Sequence, residues 1–143
     1  MKRAASKYDS WGRRTLETRA DATSTAWAYT QCQADCNGGV FATIATPSNA
    51  VPSVSYLDSL GRDVRRQSWS FNATEVVSDR EYDGLGRLLR VANPRFVAQA
   101  PVWTNFTHDD LGRTLTTSDA EGVTSVSYNG LEVTTTNAKN QTR

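Results

Sequence analysis

The sequence predicts an all-β chain built as an array of antiparallel β-hairpins. Three observations lead there. The pattern Asp-x-x-Gly recurs at regular steps along 143 residues. The polar set is dominated by eighteen Thr and thirteen Ser, with four Trp and five Tyr beside them, a mixture suited to pleated, half-buried strands. Apolar residues do not return at the three- and four-residue spacing of an amphipathic helix.

Asp-x-x-Gly occurs six times, at Asp9–Gly12, Asp35–Gly38, Asp58–Gly61, Asp83–Gly86, Asp109–Gly112 and Asp119–Gly122. Chance placement of the Asp and Gly residues would give roughly 0.6 copies, so the pattern is an internal repeat. The first five copies are evenly spaced, and Arg follows the glycine in four of them: Arg13, Arg62, Arg87 and Arg113. Tyr8 and Tyr82 directly precede the Asp, Tyr56 stands two before Asp58, and His108 takes the same place before Asp109. The units therefore begin near Tyr8, Cys32, Tyr56, Tyr82 and His108, with a partial unit over residues 129–143.

Turn chemistry accounts for the motif. An Asp at the first position accepts hydrogen bonds from amides two or three residues on and pre-forms a type I turn. A Gly at the fourth enters the left-handed region without steric cost, as a hairpin with a G1 bulge requires. The flanking Tyr and Arg fall on the two joined strands, where the Arg stem is expected to lie over that Tyr.

Each period needs a second turn at its far end. Asp119-Ala120-Glu121-Gly122 is the clearest, and Asn129-Gly130 after Tyr128 is a strong two-residue hairpin signal. Elsewhere the far turns fall around Arg19–Ser24, Pro47–Pro52, Asn72–Thr74 and Asn93–Pro101. Asn137-Ala138-Lys139-Asn140 reads as one more copy, with Asn at both key positions. Neither end carries the polar cap that repeat arrays need. The sequence therefore reads as an excerpt of a longer array.

The unit Tyr82-Asp83-Gly84-Leu85-Gly86-Arg87, with Asp109-Asp110-Leu111-Gly112-Arg113 and Tyr56-Leu57-Asp58-Ser59-Leu60-Gly61-Arg62, resembles the RHS/YD-repeat family. The resemblance runs from Tyr8 to about Asn140. It implies hairpin sheets that spiral into a hollow shell around a C-terminal toxin or effector, as in bacterial RHS proteins, toxin complexes and wall-associated polymorphic toxins. By that resemblance the chain is secreted or on the cell surface, is a non-catalytic wall segment, and has the rest of its shell and the enclosed effector as partners. YD repeats are also associated with carbohydrate, so a cell-surface carbohydrate-binding module is the alternative. The second copy, Asp35-Cys36-Asn37-Gly38, lacks the Tyr and the Arg, and the self-cleaving segment with its Asp-Pro motif is absent from this sequence.

Other chemistry is thin. Sixteen Lys+Arg against fifteen Asp+Glu give a net charge of +1, which removes the electrostatic argument for a nucleic-acid partner. The longest apolar run, Ala26–Tyr29, is far below the roughly twenty residues of a membrane-spanning helix. The basic start leads into no apolar segment and does not read as a secretory signal. Cys32 and Cys36 flank the second turn: a disulfide would clip that hairpin in an exported protein, and otherwise they are two reduced thiols. With one His in the chain, a four-ligand metal site is not expected. His108 reads as a substitute for the repeat's aromatic residue rather than as a general base beside Asp109 and Asp110. Trp11, Trp27, Trp69 and Trp103 read as sheet packing before sugar stacking. No catalytic residue and no cofactor are expected.

Overall fold

A computed structural model describes residues 4–33 and 36–143. It contains thirteen β-strands and, among the described residues, no helix, and all the strand pairings described below are antiparallel. The chain divides into two units, Met1–Val77 with Phe96–Ala98 and Ser78–Arg95 with Gln99–Arg143.

In the first unit the strands are β1 (Ala5–Tyr8), β2 (Arg14–Thr18), β3 (Ser24–Gln31), β4 (Phe41–Pro47), β5 (Ser53–Leu57) and β6 (Asp63–Trp69). Each pairs with the next, as a simple meander does. β7 (Glu75–Tyr82) carries the chain into the second unit. There follow β8 (Leu88–Ala92), the two-residue β9 (Arg95–Phe96), β10 (Trp103–His108), β11 (Thr114–Asp119), β12 (Gly122–Asn129) and β13 (Glu132–Thr136). In the second unit β7 pairs with β8, β8 with β10, and the meander continues through β13.

The apolar layer is as thin as the composition suggests. In the first unit the buried apolar side chains are Cys36, Ala42, Val54, Val64 and Val77, and in the second Ala92. Full burial of a valine is worth about 1.5–3 kcal/mol, so a handful of such residues cannot carry the fold alone. The backbone ladders and the turns must do the rest.

Four Asp-x-x-Gly turns share one backbone geometry. The first residue's N–H donates to the fifth residue's carbonyl, and the fourth residue's N–H donates back to the first, at 2.9–3.1 Å in the turns at Asp9, Asp58, Asp83 and Asp109. The glycines have φ of +75°, +77°, +82° and +80°. The strand register shifts by one residue just before each turn, between Lys7/Tyr8, Tyr56/Leu57, Glu81/Tyr82 and Thr107/His108. One extra residue on one strand is what a G1 bulge inserts.

Three turns outside the motif have the same backbone. Those opening at Arg19, Ser70 and Asn137 repeat both hydrogen bonds. Ala22, Ala73 and Asn140 then occupy the left-handed position, at φ +69°, +60° and +59°. At the first two, an Asx residue one position earlier pins the following Thr: Thr23 N–H donates to Asp21 Oδ1 at 2.9 Å and Thr74 N–H to Asn72 Oδ1 at 3.3 Å. The turn at Asn137 lets the chain begin its return, with Thr142 bridged to Thr136 and backbone bonds between Thr135 and Arg143 in both directions.

Three turns differ from the sequence expectation. The second copy falls partly outside the described residues, because Asp35 is among the undescribed ones. The turn seen there is Cys36-Asn37-Gly38-Gly39, with positive φ at both Asn37 and Gly38 and Gly39 N–H on the Cys36 carbonyl at 2.9 Å. Two consecutive left-handed residues suit Asn-Gly and make a tight primed turn rather than a bulged one. Asp119–Gly122 is a two-residue hairpin in which Asp119 and Gly122 pair directly, and Gly122 φ is +140°. The next hairpin is displaced by one residue: Asn129 pairs with Glu132, so Gly130 and Leu131 are the central pair and Gly130 alone takes positive φ, at +63°.

Gly61 has open space where a Cβ would stand, and Gly112 only an ordinary 3.9 Å contact with Arg87 Cδ, so substitutions there test backbone strain. Replacing either with Val should cost about 1–3 kcal/mol, Ala less, and Asn least. Conversely, Ala73→Gly should stabilise by up to about 1 kcal/mol, because the Cβ strain removed exceeds the entropy added to the unfolded chain. Urea melts of the series check both; equal tolerance of Val and Asn, or a weaker Ala73→Gly variant, would contradict the turn assignment.

Candidate functional site

The one constellation that recurs is the carboxylate at each Asp-x-x-Gly turn. Asp Oδ1 accepts two amides. The N–H of the third turn residue (Trp11, Leu60, Leu85, Leu111) donates to it at 2.9–3.0 Å. The N–H of the fifth (Arg13, Arg62, Arg87, Arg113) does so at 2.8–2.9 Å. Oδ2 accepts that same arginine's Nε–H at 2.7 Å in all four. The second amide is thus four residues on, not three as the sequence suggested. The bulge brings it there, because the left-handed glycine turns the fifth residue's N–H back toward the first.

Saturation of the carboxylate sets its protonation. At Asp9, Asp58 and Asp109 partial burial pushes the pKa up, but the arginine's amide and side chain and the third residue's amide outweigh it, and each lies below the ordinary 3.8. At Asp83 the Arg87 amide is the largest influence, and the result is again a lowered pKa. Asp21 is lowered too, chiefly by the Thr23 hydroxyl and amide. Hydrogen bonds offered to the charged form are the common cause.

Arg13 and Arg113 each have a second partner, a tyrosine from outside their own turn. Arg13 stacks over Tyr29 of β3 at 4.4 Å and Arg113 over Tyr128 of β12 at 4.2 Å. Those hydroxyls donate to the carbonyls of Arg14 and Thr114, the residues just after the arginines, at 2.9 and 3.0 Å. Aspartate, arginine and tyrosine are thereby linked across three strands. Guanidinium stacking on aromatics recurs at Arg90 over Trp103 (4.3 Å) and Arg14 over Trp27 (5.5 Å). At these two turns the sequence pointed to the correct residue types but not to the ring that is used, since Tyr29 and Tyr128 lie outside the motif and only the strand order brings them under the arginines. Adjacent turns are also joined: Arg87 Nη1–H donates to the Asp109 carbonyl at 2.8 Å.

Other candidates fall as follows. His108 pairs with Thr114 at the bulge, while the Asp109 carboxylate is engaged by Leu111 and Arg113. Cys32 and Cys36 are joined as a disulfide, with Cα atoms 6.4 Å apart, at the connection between β3 and β4. Among the described residues no three His, Cys, Asp or Glu side chains gather as metal ligands. Trp27 and Trp103 lie beneath arginines, and Trp11 projects from its turn. Two ion pairs in the second unit gave no sequence signal. Glu81 and Arg90 face each other across β7 and β8 with contacts of 2.7 and 2.9 Å, and Asp79, buried, meets Arg95 at 2.6 Å.

Two open hollows lie among the described residues of the first unit. The larger, about 600 Å³, is polar and contains the Tyr56–Gln67 hydrogen bond (2.8 Å) with Arg65 and Glu75 nearby. The smaller, about 490 Å³, is more apolar, with Phe41 half exposed beside Tyr29, Gln31 and Thr43.

Because the turn carboxylates have folded-state pKa values below their unfolded value near 3.8, they add stability above that pH. The contribution fades as pH falls through the lowered values. The Asn137 turn is an internal control: its Oδ1 accepts the Lys139 and Gln141 amides at 3.0 Å and its Nδ2 donates to Gln141 Oε1 at 2.8 Å, with no charge involved. On acid titration followed by NMR, the amides of Leu60, Leu85 and Leu111 should shift together below about pH 4 while Lys139 stays flat. Uniform behaviour at all four would contradict the carboxylate's role. By the same reasoning Asp109→Asn sets an amide N–H against Arg113 Nε–H and lowers the melting temperature, whereas adding Arg113→Gln recovers most of the loss. A double-mutant cycle with no coupling would show that the pair is incidental.

Set beside known proteins, the chain matches no protein-family model and no curated protein.

Proposed function

We propose that this chain is a non-catalytic structural segment of an RHS-type shell that encapsulates or presents a toxin or effector of a secreted or cell-surface protein. The observation that carries the reading is the repetition of one bulged turn at four Tyr- or His-led copies, each with its Asp–Arg clamp and register shift. The four turn carboxylates are engaged by their own amides and arginines. Side chains that hold a sheet edge in a fixed register build wall, and a repeat of weak units stands by stacking on its neighbours.

The test is the native polypeptide. An antibody raised against this chain should recognise a species several-fold heavier than 15.7 kDa, within which a protease-resistant shell holds a separate downstream segment. A native species near 15.7 kDa with no companion segment would contradict the proposal.

A carbohydrate-binding reading rests on the apolar hollow beside Phe41, where an exposed aromatic ring adjoins Gln31 and Thr43. A glycan array decides it: specific binding lost in Phe41→Ala favours a module, and a blank array removes it.

A further inference from the structure

Asn-Gly occurs twice in the chain, at Asn37-Gly38 and Asn129-Gly130. Both asparagines are exposed, but their surroundings differ. Asn37 is tied down: its Nδ2 donates to the Val64 carbonyl at 3.3 Å. The residue before it, Cys36, is buried and held by the disulfide to Cys32. The Asn129 side chain makes no hydrogen bond among the described residues. Gly130 N–H lies between the paired residues Asn129 and Glu132, in a two-residue loop where the ladder makes no use of it.

That combination suits an intramolecular reaction. Gly130 has no Cβ to shield its nitrogen, and a free Asn129 side chain can swing its amide carbon onto that nitrogen. The nitrogen gives up its proton to base in the solvent and attacks Asn129 Cγ. The N–Cγ bond forms, the Cγ–Nδ2 bond breaks, and ammonia leaves with a proton, closing a five-membered succinimide. Water then opens the ring. Cleavage at Cγ gives aspartate, and cleavage at the main-chain carbonyl gives isoaspartate, with the chain running through the side chain. Asparagine plus water becomes acid plus ammonia, and nothing is oxidised or reduced.

We propose that Asn129-Gly130 is a site of spontaneous covalent modification, converting in the folded chain to aspartate and isoaspartate and thereby loosening the β12–β13 hairpin, while the fold protects Asn37-Gly38. Two effects loosen the hairpin. A new carboxylate stands directly across from Glu132, and like charges at facing positions destabilise a strand pair. Isoaspartate also lengthens the backbone at a loop whose length fixes the register. The inference is independent of the shell reading, since it concerns only the chemistry of one turn.

The test is incubation of the folded, disulfide-bonded chain in mildly alkaline buffer, followed by peptide mapping and enzymatic methylation of isoaspartate. The peptide containing Asn129 should convert several-fold faster than the one containing Asn37, with part of its product isoaspartate. In urea with the disulfide reduced, the two rates should converge. Asn129→Gln, which would need a six-membered ring, should give no product at that position on the same timescale. Converted chain, separated from the rest, should exchange its β12 and β13 amides faster than unconverted chain. An Asn129 that survives folded incubation overturns the proposal, as does an Asn37 that reacts equally fast there. A rate gap that persists in urea overturns the protective role of the fold, and a converted chain with unchanged exchange overturns the loosening.

Discussion

Everything in this fold depends on a carboxylate that closes a turn by accepting three hydrogen bonds from within it. One aspartate oxygen holds two backbone amides and the other holds an arginine Nε–H, so a five-residue segment is held by three hydrogen bonds to one side chain. A charged acceptor makes stronger hydrogen bonds than a neutral one, and here it does so without crossing the sheet. The apolar layer is too thin to dictate strand pairing, and a β register that slips by one residue moves every side chain to the other face. A turn that sets register locally removes that freedom.

The clamp also explains what the arginines do beyond it. An exposed Asp–Arg pair would be worth little by itself. Holding Nε on the carboxylate fixes the guanidinium plane, which then lies over Tyr29 or Tyr128 on the far side of the adjoining strand. The tyrosine hydroxyl returns to the backbone just after the same arginine. Local turn chemistry is thus coupled to the third strand, and the hairpins are tied into a meander rather than left as separate units.

Much of this was legible in the sequence, and the failures have physical causes. The four clamped turns could be read because Asp and Gly each answer a local backbone demand, and Asn137–Asn140 because Asn answers the same two. At Arg19–Thr23 and Ser70–Thr74 the sequence placed a turn but not its left-handed residue, since Ala22 and Ala73 have no preference for that region. The only local sign there is an Asx-Ala-Thr triplet, Asp21-Ala22-Thr23 or Asn72-Ala73-Thr74. Tyr29, Tyr128 and the Asp79–Arg95 pair depend on which strands lie side by side, and no local pattern carries that. The one-residue shift at Gly130 follows the pairing of Asn129 with Glu132, which overrode the Asn-Gly preference.

The central claim is that the aspartate carboxylates themselves, not the glycines alone, hold these turns. Scalar couplings transmitted through hydrogen bonds report this directly in a sample labelled with ¹³C and ¹⁵N. The account predicts measurable coupling from both the Leu111 and Arg113 amide nitrogens to the Asp109 side-chain carboxyl carbon, with matching pairs at Asp9, Asp58 and Asp83. Ordered turns that show the backbone Gly112–Asp109 coupling but neither coupling to the carboxyl carbon would contradict it.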